Sequence, residues 1–156
     1  MAQSIVLFLH NLFTAVWIGG LFMLAMTVIP IVRGRLANPQ EGSAVKAMEL
    51  FSEITLKHRK WVFVSIAGLF ITGLMLSKVN DPGGFMKFGN QYQILASVKH
   101  IATFLMIIVA VVRILKVSGK LDKGKPAKKS LGIPLIYANF ALGVIVLLLS
   151  AMMASL

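Results

Sequence analysis

Two histidines, His10 and His100, are the side chains of this chain best suited to bind a metal or a cofactor. Each lies within a long apolar stretch, where an ionisable group is costly and is therefore a functional candidate by default. Lys99 is the only Lys or Arg inside these stretches, which contain no Asp or Glu. This pattern argues against a carboxylate-based cation pathway or metal cage. The chain has no Cys, which excludes disulfides, thiolate metal sites and c-type haem attachment.

The positions of the two histidines predict that they bind one haem b between them. His10 lies about two turns after the start of the first apolar stretch, and His100 about two turns into the third. Two imidazoles on facing helices can bind both faces of a haem iron, which satisfies two polar groups that hydrocarbon penalises. His58 belongs to the opposite end and has no second histidine there. We therefore expect at most one bis-histidine haem per chain.

The neighbours of these histidines are expected to complete the cofactor site. Thr14 and Trp17 share a helical face with His10, and Thr103 shares one with His100. In the second apolar stretch, small residues either leave room for a flat cofactor or let helices pack closely. This small-residue stripe consists of Ser65, Gly68, Thr72 and Gly73.

Lys99 has two interpretations. Adjacent helical residues point about 100° apart, so Lys99 and His100 are not expected to face the same spot squarely. Lys99 either contacts a haem propionate or a substrate carboxylate at the outer surface, or extends its ammonium group to the membrane interface.

The methionines support an alternative to haem, in which the chain binds copper, because thioethers bind Cu(I). The chain has nine Met, a residue that also fills gaps in apolar packing. A copper site would combine His10 with methionines of the helices. The candidate methionines are Met23, Met26, Met75, Met86, Met152 and Met153.

The overall composition indicates the kind of protein that holds these residues in position. Of 156 residues, 58% are hydrophobic and only 13% are charged, with a mean hydropathy of +0.86, which indicates an integral membrane protein rather than a soluble domain. The net charge of +11 then reports topology and contact with anionic lipids. We expect no specific nucleic-acid binding, because the basic segments carry no interleaved aromatic residues.

Four apolar stretches are long enough, or nearly so, to cross a bilayer: about 4–32, 61–76, 94–112 and 132–153. They predict an all-α, four-helix membrane bundle that forms a single transmembrane domain over residues 1–156. Residues 1–9 contain no Lys or Arg, so the first stretch is not expected to be a cleaved signal peptide.

The basic residues predict the orientation. Thirteen of the 16 lie on one side of the predicted membrane, against Lys78 and Lys87 on the other. The positive-inside rule makes the basic side cytoplasmic and both termini external, in the inner (plasma) membrane. The basic residues of that side are Arg33, Arg35, Lys46, Lys57, Arg59, Lys60, Arg113, Lys116, Lys120, Lys123, Lys125, Lys128 and Lys129.

The segment between the first two spans predicts an amphipathic cytoplasmic helix. Asn38 to Glu41 form a helix-start signal, and apolar residues follow at helical spacing. This helix either lies on the inner membrane surface or extends the second span into the cytoplasm.

The first apolar stretch resembles the first helix of the copper-resistance protein D (CopD) family. The shared pattern is His10, then Trp17 with the pair Gly19 and Gly20, then an apolar run that ends near Pro30. Residues 51–73, which close on Thr-Gly, and 92–99, an aromatic-led stretch ending in Lys, resemble the family's next two helices. The resemblance covers about residues 5–115 and implies a membrane protein that handles copper or electrons.

The same His-then-Trp pattern and the helix-three Lys also resemble HemJ-type protoporphyrinogen oxidases, which are four-helix, haem-binding membrane proteins. This second resemblance implies that His10 and Lys99 are the functional positions. The chain has Met23-Leu24-Ala25-Met26 where that family carries Tyr-Leu-Pro-Arg. The oxidase activity is therefore the weaker of the two implications.

Three hypotheses about function follow. The chain is a b-type haem protein that carries electrons between an outer-side redox partner and the quinone pool, with porphyrinogen oxidation as an enzymatic variant. Alternatively it transports or handles copper. In the third hypothesis it is a non-redox anchor subunit of a larger complex. Its partners are membrane lipids and, in the redox hypotheses, quinone, other copies of itself or a larger redox complex.

Overall fold

The computed structural model describes residues 1–37, 43–80, 88–118 and 132–156. These residues form four helices: α1 (Ala2–Ala37), α2 (Ser43–Asn80), α3 (Gln91–Ser118) and α4 (Gly132–Ala154). Each helix contains a stretch long and apolar enough to cross a membrane, and the described residues contain no strand. The predicted all-α, four-helix membrane architecture is confirmed. The side of the membrane that each end faces stays a prediction.

The predicted amphipathic segment is the first part of α2 rather than a separate helix. Its residues favour uninterrupted helix because no Gly or Pro occurs between Ser43 and Gly68. Phe51 and Ile54 pack against the core, while Glu53 and Lys57 form an exposed ion pair at 2.8 Å. The structure thus selects the second arrangement, an extension of the second span. The helix-start signal from Asn38 to Glu41 lies outside the described residues.

A π-helical turn, Leu24–Val28, interrupts α1 one turn before Pro30. Ile29, the residue after the turn, donates its N–H to the carbonyl of Leu24, five positions earlier in the chain. In this register the next donor would be Pro30, which has no N–H, so the Ala25 carbonyl loses its helical partner. The hydroxyl of Tyr137 on α4 donates to that carbonyl at 3.1 Å. The proline is thus accommodated by a hydrogen bond from a neighbouring helix.

The core runs along one side of α1 and is completed by residues of the other helices. Large apolar side chains elsewhere are exposed, such as Phe70 at 61% and Leu148 at 60%, which suits helices surrounded by lipid. The most deeply buried apolar residues are Trp17, Leu21, Leu24, Ala25, Ile29, Ala47, Met106 and Ile136.

The four helices associate most closely as two antiparallel pairs, α1 with α2 and α3 with α4. In the first pair, Gly68 lets α2 approach α1, because a Cβ there would overlap the ring of Phe13. Between the pairs, Gly143 of α4 lies where a Cβ would come within 3.3 Å of Ile18 on α1. The pairs therefore pack closely near the middle of the bundle.

Candidate cofactor site

A cavity of about 1150 Å³ opens at the end of the bundle that holds the N-terminus. We call it the histidine cavity, because His10 of α1 and His100 of α3 both line it. All four helices contribute to its wall, which is mostly apolar. The polar residues at its walls and mouth that sequence reasoning had not singled out include Gln3, Asn11, Gln93, Ser97 and Ser150.

The histidine cavity brings together most of the residues that the sequence predicted for a cofactor site. These are His10, Thr14, Trp17, Lys99, His100 and Thr103. Gly68 is the exception: it faces Phe13 and does not line the cavity, so its role here is helix packing. Gly73 lies on the cavity instead, where a Cβ would be 3.8 Å from Cε1 of His10.

The ring of His10 is held by Thr72 on the neighbouring helix. The hydroxyl of Thr72 donates its single hydrogen to the Gly68 carbonyl at 2.6 Å. The Thr72 oxygen must therefore accept from Nδ1–H of His10, at 2.9 Å. In a neutral imidazole the remaining nitrogen, Nε2, then carries the lone pair that a metal binds. Thr72 thus fixes both the tautomer and the orientation of the ring.

His100 shows the same chemistry within its own helix. Its Nδ1 lies 2.6 Å from the carbonyl oxygen of Ala96, which can only accept. Nδ1 is therefore the protonated nitrogen, and in the neutral ring Nε2 again holds the lone pair. A metal-binding histidine typically donates its second nitrogen to a carbonyl or to a side-chain oxygen in this way.

The threonines beside the histidines bond to their own helices. Thr14 donates to the His10 carbonyl and Thr103 to the Lys99 carbonyl, each at 2.9 Å. Such bonds satisfy the hydroxyl hydrogen and leave the oxygen as an acceptor. Lys99 is half-buried and lines the histidine cavity together with His100, although the two residues are adjacent in sequence.

Trp17 lies at the buried base of the histidine cavity. Its side chain is only 2% exposed, and its Nε1–H has no hydrogen-bond partner among the described residues. A buried indole N–H usually has an acceptor, so a polar group of a bound molecule or a water would satisfy it.

Thr72 is the residue of the candidate site whose contact with His10 sequence reasoning missed. It was recognised only as a member of the small-residue stripe. A hydroxyl at membrane depth was the available signal, but its partner depends on how α1 and α2 align, which the sequence does not state. His58 does not line the histidine cavity, and its side chain is buried, at 9% exposure.

The methionines proposed for copper do not gather around His10. Of the proposed methionines that the structure describes, Met23, Met26, Met75 and Met152 are exposed, and only Met153 lines the histidine cavity. Met86 lies outside the described residues. No group of three or more His, Cys, Asp or Glu able to hold a metal occurs among the described residues.

No protein-family model, curated protein or solved structure matches the chain. The resemblance to the CopD and HemJ-type families therefore stays a prediction, carried by the motifs around His10, Trp17 and Lys99.

Proposed function

We propose that this chain is a membrane b-type haem protein in which His10 and His100 would bind the haem iron. The observation that carries the proposal is that both histidines line one cavity and each donates Nδ1–H to a fixed acceptor. That arrangement presents the second nitrogen of each ring in its metal-binding form.

The size and lining of the histidine cavity suit haem. Small-molecule sites typically enclose about 300–1,000 Å³ and are mostly apolar with few polar groups. At about 1150 Å³, this cavity is large enough for a tetrapyrrole. The ammonium of Lys99 and the mouth residues Gln3 and Gln93 are suited to propionates, and Trp17 offers a buried donor. When bound, the haem would supply reversible one-electron transfer.

The chain's own residues would bind, orient and shield the cofactor. Thr72 and the Ala96 carbonyl hold the two imidazoles, while Ile18, Ile66 and Met106 provide an apolar wall that excludes water. A mostly apolar lining suits a lipid-soluble electron partner. We therefore propose transfer between an outer-side redox partner and the quinone pool, in the inner (plasma) membrane.

An absorption spectrum of the purified protein, oxidised and dithionite-reduced, tests the proposal. We expect a Soret band and a sharp reduced α-band of low-spin iron. His10→Ala and His100→Ala should each turn the iron high-spin and weaken haem retention, while the matched control His58→Ala should leave the spectrum unchanged.

Lys99→Met separates the two candidates for the ligand opposite His10. If His100 is that ligand, Lys99→Met stays low-spin; a high-spin Lys99→Met with a low-spin His100→Ala would replace His100 by Lys99. Copper without haem in the purified protein would favour the copper-handling alternative. A protein that carries neither haem nor copper, and co-purifies with a partner, would favour the anchor-subunit alternative.

A further inference from the structure

The histidine cavity extends well below the two histidines. Trp17 lies seven residues after His10 on α1, Ile107 lies seven residues after His100 on α3, and both line the cavity. At 1.5 Å per residue, the cavity continues about 10 Å along the helices from the level of the imidazoles. The imidazoles therefore occupy one end of the cavity, and its base is a separate region.

The cavity also opens sideways, between α2 and α3. On α2, Phe63, Ala67 and Phe70 line the cavity and are exposed on the outside of the bundle, and Phe104 on α3 does both as well. The three α2 residues recur at spacings of four and three, so they follow one edge of the helix. A side chain that lines a cavity and also reaches the surface marks a place where the cavity is open. We call this place the side opening.

The side opening follows from the pairing of the helices. α2 packs on α1 and α3 packs on α4, whereas the described parts of α2 and α3 are not in close contact with each other. The residues of the opening are apolar and belong to membrane-crossing stretches, so it faces hydrocarbon rather than water. A molecule dissolved in the lipid can therefore reach the base without passing the polar mouth.

Contacts between α1 and α2 place the side opening beside Trp17. On α1, Trp17 lies between Phe13 and Gly20, which contact Gly68 and His58 of α2 respectively. The part of α2 between those two contacts holds two of the residues that form the opening. It therefore runs past Trp17.

Contacts through α4 place the α3 side of the opening at the same level. A Cβ at Gly143 of α4 would contact both Ile18 of α1 and Met106 of α3. Ile18 follows Trp17 directly, and Phe104 lies two residues before Met106. Trp17 and both edges of the side opening thus share one level of the bundle.

Trp17 supplies the one directed polar contact of this region. Its indole is buried, and its Nε1–H has no acceptor among the residues that the structure describes. An indole N–H can only donate, so the group that satisfies it is an acceptor such as a carbonyl oxygen. The neighbouring wall, with Ile18, Met106 and Ile107, is apolar. The base therefore suits an apolar molecule that carries an acceptor oxygen.

We propose that a quinone enters through the side opening and binds at the base, with one ring carbonyl accepting the Nε1–H of Trp17. A quinone is flat and apolar, its carbonyl oxygens accept hydrogen bonds, and its tail can remain in the lipid. Phe63, Phe70 and Phe104 offer aromatic surface to the ring. The choice of a quinone rests on the proposed function, whereas the opening and the free donor do not.

Native mass spectrometry of the purified protein tests the contact with Trp17. The probes are decylubiquinone and phenyldecane, an apolar molecule without an acceptor oxygen. We expect one decylubiquinone to bind wild type about 3- to 10-fold tighter than phenyldecane, as one hydrogen bond to a buried donor provides. Trp17→Phe should lose this preference. Trp61→Phe, which changes the second and exposed Trp of the chain, should keep it.

A second pair of variants tests the route, and decides the matter if Trp17→Phe does not fold. Ala67→Phe places a ring in the side opening and should weaken decylubiquinone binding about tenfold, the size of an overpacking penalty. Ala15→Phe adds the same ring to an exposed alanine of α1 that does not line the cavity, and should bind as wild type does.

No saturable binding of decylubiquinone by wild type overturns the proposal. So does an unchanged preference in Trp17→Phe, or unchanged binding in Ala67→Phe. A wild-type dimer that binds no quinone and that Ala67→Phe dissociates would assign the opening to a second copy instead. The haem spectrum is read separately. Quinone binding without haem supports this site and contradicts the haem proposal, and a low-spin haem spectrum without quinone binding does the reverse.

Discussion

At the level of single residues, the hydroxyl of Thr72 has the most specific consequence. It is the acceptor that holds Nδ1–H of His10, so Thr72→Val removes the orienting bond while keeping the shape of the side chain. Loss of such a supporting partner typically lowers metal affinity about 10- to 100-fold. We expect weaker haem retention of that order, measured by haem transfer to apomyoglobin.

The matched control for this prediction is Thr55→Val on the same helix. Thr55 bonds only to its own Phe51 carbonyl and lies away from the histidine cavity. It should retain haem as the wild type does. Equal haem loss in the two variants would show that Thr72 acts through helix stability rather than through His10.

The residues of the candidate site were predictable to the extent that membrane depth selects them. His10, His100 and Lys99 stand out in sequence because ionisable groups are rare in apolar stretches. The bond from Thr72 was not predictable, because it depends on the alignment of α1 with α2. For the same reason, the sequence did not show that Gly68 faces Phe13 rather than the cavity. Which face of α2 lines the cavity depends on how α2 packs against α1.

At the level of helices, the π-helical turn of α1 depends on a hydrogen bond from α4. Tyr137→Phe leaves the Ala25 carbonyl without a donor, which typically costs about 1–3 kcal/mol of stability in a buried position. We expect a loss of this size in the free energy of unfolding, measured by SDS titration in mixed micelles. Tyr92→Phe, an exposed tyrosine on α3, should change little.

A second substitution tests whether Pro30 is the reason that the Ala25 carbonyl needs a donor from Tyr137. Pro30→Ala restores the missing N–H, so α1 can return to α-helical bonding and give the Ala25 carbonyl a partner of its own. In that background Tyr137→Phe should cost less than in the wild type. An undiminished effect would show that the contribution of the Tyr137 hydroxyl does not depend on Pro30.

Substitution of the two glycines of α2 by Ala should have different effects on stability. Gly68→Ala forces its Cβ into the ring of Phe13, and overpacking of this kind typically costs about 1–3 kcal/mol. Gly73→Ala places its Cβ at ordinary contact distance from His10 and should be tolerated. Unfolding in mixed micelles measures both. Greater destabilisation by Gly73→Ala than by Gly68→Ala would contradict the packing role given to Gly68.

At the level of the whole molecule, the orientation in the membrane is the prediction most directly tested. Thirteen basic residues on one side predict a cytoplasmic segment at 120–128 and an external C-terminus at Leu156. Since the chain has no Cys, single cysteines introduced at these positions give unambiguous labels. An impermeant maleimide should label position 156 in intact cells and not 120–128, and the reverse pattern would refute the orientation.

The architecture was predictable because hydropathy alone marks membrane-crossing helices. The four predicted spans fall within the four helices, as α4 illustrates: its predicted span of 132–153 nearly equals the helix Gly132–Ala154. The extent of α2 was less certain, since an amphipathic segment suits either a membrane surface or a neighbouring helix. Its apolar face, with Phe51 and Ile54, packs against protein, which favours the continuous helix.

The division into two helix pairs also separates the two proposed ligands. His10 and its acceptor Thr72 belong to one pair, and His100 with Ala96 belongs to the other. Each helix pair therefore carries one of the two imidazoles together with the acceptor that orients it. Because each supporting bond lies within one helix pair, a change in the spacing of the pairs would alter the gap between the rings without breaking either bond. If both histidines bind one haem as proposed, the cofactor would also join the two helix pairs to each other.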